Sequence, residues 1–318
     1  MTAAPAFPAR RQRGAALLVA MLILTLVATA ASAMVWHQHR AVEVEAAERA
    51  RAQARWILAG AQDWARLMLR ADADKAFPPS ATWARRLEES RLSQFLAADR
   101  GQGADADLDV FLSGEIDDAQ SRYNLRRLVG DDGKPVAAEV AALRRLCNAA
   151  GAGPELADRL AEGLAAAWHE RADTAPLPPT RIEQLGWIGL DADQLARIAP
   201  HVTLLPGRTP VNANTADAPA LMAAIDELSL PDAQRIVQTL RRNPGGSSEA
   251  LRQLLPSGVV TDDARVGVQS RHFEVLGRLR FEDRLLEERW LLERRGSGGS
   301  VELVLLRTDR RSLPAPPS

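Results

Sequence analysis

The side chains able to do chemistry in this chain are few and scattered. Its five histidines, His37, His39, His169, His201 and His272, share no local pattern. No Gly-x-Ser-x-Gly elbow, no phosphate-binding glycine loop and no His-Glu-x-x-His pair occurs. Cys147 is the single cysteine, which excludes an intrachain disulfide and a multi-cysteine metal site. Its apolar surroundings, Val140 to Leu146, read as one face of a buried helix. Carboxylates do gather, at Asp105, Asp107 and Asp109, at Asp117 and Asp118, and at Asp131 and Asp132. A hard cation needs about six to eight oxygens from several directions. None of these runs has the density of an EF-hand loop, so the plain reading is solvated loop acids. Enzyme chemistry is not expected.

The more distinctive chemistry is a cleavage site. Arg10, Arg11 and Arg13 precede Gly14, and from Ala15 to Val35 no charged residue occurs. An apolar run of about 20 residues matches the hydrocarbon thickness of a bilayer as a helix. The arginines before it favour the cytoplasmic side and send the C-terminal bulk across the membrane. Trp36 then sits where an interfacial aromatic belongs. Three readings compete: a cleaved secretory signal, a plain signal anchor, and a prepilin-type signal cut before the apolar stretch. The run is long for the first, and the Ala-Ser-Ala at residues 31–33 comes late. A basic leader ending in Gly14 favours the third, because a membrane aspartyl peptidase cutting there leaves the apolar helix intact.

These residues need elements to position them. From His37 to about Arg70 the chain has no proline and many helix formers. Trp56, Gly60, Trp64 and Met68, with Ile57 and Leu67 beside them, predict an apolar stripe on a charged helix. Asp72, Asp74 and Pro78-Pro79 end it. Trp83 to Leu96 reads as a second amphipathic helix and Asp99–Asp107 as a loop. Leu108–Leu112 and Gly114–Asp118 read as two short strands joined at Ser113-Gly114. Short helices follow at Val136–Ala149, Pro154–Arg171, Ala192–Ile198, Asp217–Asp226, Pro231–Arg242 and Ser248–Leu255. A weak repeat runs through them. Asn124-Leu125 and Asn212-Ala213-Asn214-Thr215 each precede two helical segments and a short leucine-rich helix, Arg181–Leu185 or Glu249–Leu254. After Ala264 the period becomes two: Phe273, Val275, Leu279 and Phe281 alternate with Glu274, Arg278 and Arg280. Gly296–Ser300 reads as the connection of a hairpin. The mixed-charge stretch Glu282–Arg295 suits an exposed sheet region meeting a neighbouring subunit, or equally a solvated strand edge.

In this order the residues predict an α/β pilin-like fold: a long N-terminal helix and an antiparallel sheet carrying a large inserted α-helical domain. The expected divisions are a leader (1–14), a transmembrane half-helix (15–35), an amphipathic half-helix (36–70), a pilin-like domain (71–118 and 264–310), the insertion (119–263) and a disordered tail (311–318). Composition adds little. Apolar residues make up 46%, enough for a core, and a net charge of -1 gives no attraction to polyanions.

With Gln12–Val19, Asp118–Leu125 and Thr209–Ala216 in place, the sequence resembles general secretion pathway protein K, the large minor pseudopilin of the type II secretion system. The resemblance runs the length of the chain. It implies cleavage by a prepilin peptidase between Gly14 and Ala15, N-methylation of Ala15, and single-pass residence in the bacterial inner membrane with the N-terminus cytoplasmic and the bulk periplasmic. It implies a tip complex with minor pseudopilins I and J, contact with further pseudopilins, and an approach to the secretion channel or the exoprotein. Most pilin-like subunits carry Glu five residues after cleavage; here that residue is Val19, a departure that in the family accompanies the fibre tip. No cofactor is required, although calcium braces the insertion in some members, which points to Asp117, Asp118, Asp131 and Asp132. The insertion would comprise two helix-hairpin-helix-like, SAM-like halves. A competing reading follows, a membrane-tethered module of that type binding DNA or another ligand. The corresponding turn, Asp226–Pro231, is acidic and lacks glycine, which argues against nucleic acid. Asn214 or Thr215 is expected to cap the helix near Asp217.

Overall fold

A computed structural model describes residues 13–72, 82–84, 86–92, 110–169, 176–281, 284–296 and 300–314. The chain divides into two compact units, Met1–Ile57 and Leu58–Ser318. Helix α1 runs from Arg13 to Ala71, 59 residues, or about 90 Å at 1.5 Å per residue. Its apolar part has a window of mean hydropathy 2.4 and is long enough to cross a membrane. The few polar side chains there are satisfied within the helix. Thr25, Thr29 and Ser32 hydroxyls donate to the carbonyls of Leu22, Leu26 and Ala28, each at 2.9 Å, so no hydroxyl is left bare in an apolar solvent.

The buried stripe of α1 differs from the expected one. Leu58, Ala65 and Leu69 face inward, whereas Trp56 is 80% exposed and Trp64 40%. The reason is geometric: four-residue steps overshoot a helical turn by about 40° each, so a stripe at 56, 60, 64 and 68 rotates about 120° around the helix. The set 58, 65 and 69 stays on one face. α1 stops at Asp72, whose buried carboxylate accepts the Trp83 N–H at 3.4 Å. Asp74, Pro78 and Pro79 lie outside the described residues.

In the second unit, five strands form an antiparallel sheet in the order β1-β2-β7-β8-β9. They are β1 (Leu87–Arg91), β2 (Val110–Asp118), β7 (His272–Phe281), β8 (Arg284–Arg295) and β9 (Glu302–Pro314). β1 corrects the helix expected from Trp83. Residues 82–84 form one 3-10 turn, and 87–91 then pair with β2, pairing that overrides a helix-compatible pattern. The two short strands expected around Ser113-Gly114 are one strand. Gly114 lies opposite Gly277, and a Cβ on it would meet the Leu276 carbonyl oxygen at 2.9 Å. That glycine serves close approach rather than a turn. The expected tail is also shorter, because Arg311–Pro314 pair with Arg284–Glu287.

One face of the sheet carries Leu112, Ile116, Phe273, Val275, Leu279, Trp290 and Leu292, all buried. Leu58 packs over it at Gly277, where an added Cβ would meet Trp290 at 2.7 Å and Leu58 at 3.3 Å. Trp83 closes the end, edge-on to Phe273 at 5.4 Å.

The chain leaves the sheet at Asp118 and returns at His272. Between them two similar halves share one core. The first opens with β3 (Tyr123–Asn124), continues through α2 (Ala137–Ala149), α3 (Leu156–His169), a 3-10 helix (Ile182–Ile188) and α4 (Ala192–Ile198), and closes with β4 (Val202–Thr203) parallel to β3. The second opens with β5 (Val211–Asn212), continues through α5 (Ala218–Ala224), α6 (Leu230–Arg242) and α7 (Ser248–Arg252), and closes with β6 (Val266–Gly267) parallel to β5. The repeat seen in the sequence is therefore structural. Asn124 and Asn212 hold equivalent places: the side-chain oxygen of each accepts the N–H two residues later, at 3.1 Å in both.

Because Gly277 is where helix and sheet touch, Gly277→Val is expected to destabilise the second unit by about 1–3 kcal/mol through overpacking. Thermal unfolding followed by tryptophan fluorescence should show a lowered midpoint, with Trp290 as reporter.

Candidate functional site

Asp118, the last residue of β2, is 5% exposed and carries the junction of sheet and insertion. One carboxylate oxygen accepts the Gln120 amide at 2.8 Å. The other accepts Asn212 Nδ2 at 2.8 Å, Ser270 Oγ at 2.6 Å and Thr215 Oγ1 at 2.5 Å. Burial pushes this carboxyl above the ordinary carboxylate value, and hydrogen bonds from Ser270, Thr215, Asn212 and the Gln120 amide pull against it. Beside it the Gln120 side chain bridges the same joint, accepting the Arg271 amide at 2.7 Å and donating to the Pro210 carbonyl at 3.0 Å.

A second buried cluster locks the two halves together. Glu139 of α2 accepts the Tyr123 hydroxyl at 2.6 Å and two guanidinium bonds from Arg127, at 2.7 and 3.1 Å. Arg127 also donates to the Ala264 carbonyl at 2.6 Å, and Arg265 reaches the Ala223 carbonyl at 3.1 Å and Asp226 at 2.5 Å. Burial and the adjacent Glu139 carboxylate push the Tyr123 hydroxyl well above its ordinary value. For Asp226, burial pushes upward, but hydrogen bonds from Arg145 and Arg265 outweigh it and hold the carboxyl low. These roles for Tyr123, Arg127, Glu139 and Arg265 were invisible in the sequence, where each is one polar residue in a helical or turn pattern. A polar residue at the apolar face of α2, Glu139, was the available signal.

A groove of about 470 Å³ lies at the joint, lined among others by Asp117, Asp118, Arg122, Asp217, Glu274 and Arg289. Several of its charges pair within the protein: Arg122 bonds Glu274 at 2.6 Å, Asp217 bonds His201, and Arg289 bonds Glu287 at 3.1 Å. Of the carboxylates named for calcium, Asp117, Asp118, Asp131 and Asp132, two already bond protein donors. Asp118 spends both oxygens on protein donors, and Asp132 accepts the Lys134 amide at 3.1 Å in a surface turn. Among the described residues no group of three or more His, Cys, Asp or Glu is gathered as a metal would need; Asp105, Asp107 and Asp109 lie outside them.

Other expected site residues fall as follows. Gly14 and Ala15 lie in the first turn of α1, and Val19 is 54% exposed on its apolar stretch. The cap of α5 is neither Asn214 nor Thr215 but Asp217, whose carboxylate accepts the Ala220 amide at 2.9 Å. Thr215 is turned to Asp118, and Asn214 binds the backbone of Gly245 and Val268. Between α5 and α6 the turn holds Asp226 and Glu227, the latter at a positive φ of 61°.

Known proteins are similar to this chain. Two family models described as "Type II secretion system (T2SS), protein K" match residues 121–207 and 211–269, the two halves of the insertion. Type II secretion system protein K of Pectobacterium carotovorum is 31% identical over 92% of this chain and 95% of its own length. The protein of that name in Klebsiella pneumoniae is 30% identical over 87% and 92%, and the one in Pseudomonas aeruginosa 26% over 96% of each. A solved structure, the GspK-GspI-GspJ complex of the enterotoxigenic Escherichia coli type 2 secretion system, matches with a TM-score of 0.57 and 19% identity, covering 83% of this chain and 98% of that one. The fold is the same.

Asp118→Ala removes the shared acceptor of buried Asn212 and Ser270 and of half-buried Thr215 and is expected to cost about 2–4 kcal/mol. pH gives a second handle. A carboxyl whose folded pKa is raised binds more protons folded than unfolded, so its contribution to stability falls as pH rises from the ordinary value of 3.8. Asp118→Asn, which cannot titrate, should flatten that descent in urea unfolding followed from pH 4 to 7.

Proposed function

The chain belongs to the type II secretion system protein K family of minor pseudopilins, and on that premise we propose that it caps the tip of the periplasmic pseudopilus and helps initiate its assembly. The fibre then serves the export of folded proteins across the outer membrane. The observation that carries this reading is α1: one helix runs from an apolar stretch fit for a bilayer to a sheet-packed end at Leu58–Leu69. A plain anchor has no reason to be continuous with the domain it tethers.

On this reading a prepilin peptidase removes residues 1–14 and Ala15 becomes the methylated N-terminus. The arginines of the leader hold the N-terminus in the cytoplasm and the second unit enters the periplasm, with α1 seated in the inner membrane. Val19 supports the tip position. A carboxylate there would neutralise a neighbour's terminal ammonium within the bilayer, and a subunit with no such duty does better with an apolar side chain. The bulk of the insertion supports it too, because a domain of that size hinders stacking of a further subunit above. The proposed partners are minor pseudopilins I and J, the companions of the solved relative, with further pseudopilins below and the secretion channel or an exoprotein above. The role is structural rather than enzymatic, since the buried polar groups at the joint are committed to one another.

The test is expression of the full chain with and without a prepilin peptidase, followed by mass analysis of the mature N-terminus. Peptidase-dependent loss of residues 1–14 with a methyl group on Ala15 is expected. An intact N-terminus, or cleavage near Ala33, would overturn the assignment of processing. Affinity capture of the processed chain should recover pseudopilins I and J.

A further inference from the structure

The sheet ends on two unlike strands. β1, at one edge, has five residues, Leu-Glu-Glu-Ser-Arg, and is short and charged as exposed edges usually are. β9, at the other, has thirteen. Among the described residues β9 pairs only with β8, and no backbone hydrogen bond outside that pairing involves residues 302–314. Along its outer side every second residue therefore turns an N–H and a C=O away from the sheet.

This edge is held in shape. The Arg307 guanidinium donates to the Thr180 carbonyl at 2.6 Å and to Asp309 at 2.9 Å. Arg181 bonds Asp309 at 2.5 Å, and Arg310 is tied to the buried Glu288. A strand fixed on both faces and bare along its edge has little conformational entropy left to lose when another strand docks. From Arg307 to Arg311 the strand itself carries Arg307, Arg310 and Arg311 against Asp309, and Arg310 and Arg311, although bonded to Glu288 and Glu183, keep about half of their side-chain surface exposed. Two copies of that stretch set antiparallel about Asp309 would bring Arg307 against Arg311, so charge disfavours self-pairing and favours an acidic partner.

We propose that the outer edge of β9 accepts a β-strand of a neighbouring minor pseudopilin, one that presents carboxylates opposite Arg307–Arg311 and extends the five-stranded sheet. The proposal rests on the pseudopilin reading above and adds to it the surface and the mode of contact.

Hydrogen exchange read by mass spectrometry tests it, on the full chain in detergent, alone and co-purified with pseudopilins I and J. Amides of 302–314 are expected to exchange about tenfold more slowly, or better, in the complex, while those of 87–91 do not change. Arg311→Glu should weaken the complex about fivefold by opposing like charges across strands. Arg311 lies opposite Glu287 on β8 and bonds Glu183 at 3.4 Å, so the thermal midpoint of the isolated variant is measured beside that of the parent chain to separate lost docking from lost folding. A complex that forms with no added protection in 302–314 overturns the proposal and leaves the pseudopilin reading standing. Protection of 302–314 in the isolated chain, rising with its concentration, overturns it in favour of self-pairing. Failure of any complex to form overturns both.

Discussion

Everything in the second unit hangs on a buried charge at the end of β2. Asp118 closes one strand of the sheet and opens the insertion, and it is only 5% exposed. An ion in that position is tolerable only with donors supplied by the protein. The donors come from Asn212, Thr215 and Ser270, which lie 94, 97 and 152 residues further along the chain. They are present only when the second half of the insertion has closed and the chain has returned to the sheet. Sheet and insertion are thus conditional on each other, and a partly closed insertion leaves an unpaired charge in an apolar place.

The Glu139 cluster applies the same logic inside the insertion. Tyr123 and Arg127 belong to the first half, Arg265 to the second, and Glu139 to α2 between them. Buried ion pairs contribute little net stability once desolvation is counted, yet removal of one partner is costly. What such a cluster supplies is a choice of arrangement. The two halves have similar shapes and could dock in several apolar-to-apolar ways. Glu139 meets Tyr123 and Arg127 within the first half, and the observed docking adds Arg265 at 3.6 Å and brings the Ala264 carbonyl to Arg127. The asparagines at 124 and 212 mark the same places in the repeat but differ in reach, one binding the 205–209 segment and the other Asp118.

The sequence revealed what depends on local pattern. The apolar run at 15–35, the α2, α3, α4 and α6 helices and the alternation at 273–281 follow from spacing alone, and the structure has them within a few residues. Errors arose where pairing partners decide. Leu87–Arg91 fits a helix until β2 is laid beside it, and Gly114 looks like a turn until Gly277 is seen opposite. Residues 311–314 look like a polar tail because the strand they join is separated from them by a hairpin. The joint is hidden for the same reason: the partners of Asp118 are remote in sequence. Thr215, a good cap by position, is drawn instead to that carboxylate, and Asp217 takes the capping role.

The arrangement also explains how a slender fibre subunit can carry so large an addition. β2 and β7 are hydrogen-bonded neighbours, with Asp118 paired to Phe273, so residues 119–271 leave and re-enter at adjacent points of one ladder. Closing a long segment between adjacent ends costs only slowly more entropy as its length grows. The sheet needs no change of register to accommodate the insertion, and the face that packs beneath Leu58 and Leu69 is built from Leu112, Val275, Leu279 and Trp290, none of which lies within it. The sheet face that receives Leu58 and the bulk of the insertion therefore occupy separate parts of the chain. Among the described residues the Asp118 clasp, the Gln120 bridge, the Arg122–Glu274 pair and the Arg307–Thr180 bond connect the two parts, which is why the joint is polar and tightly specified.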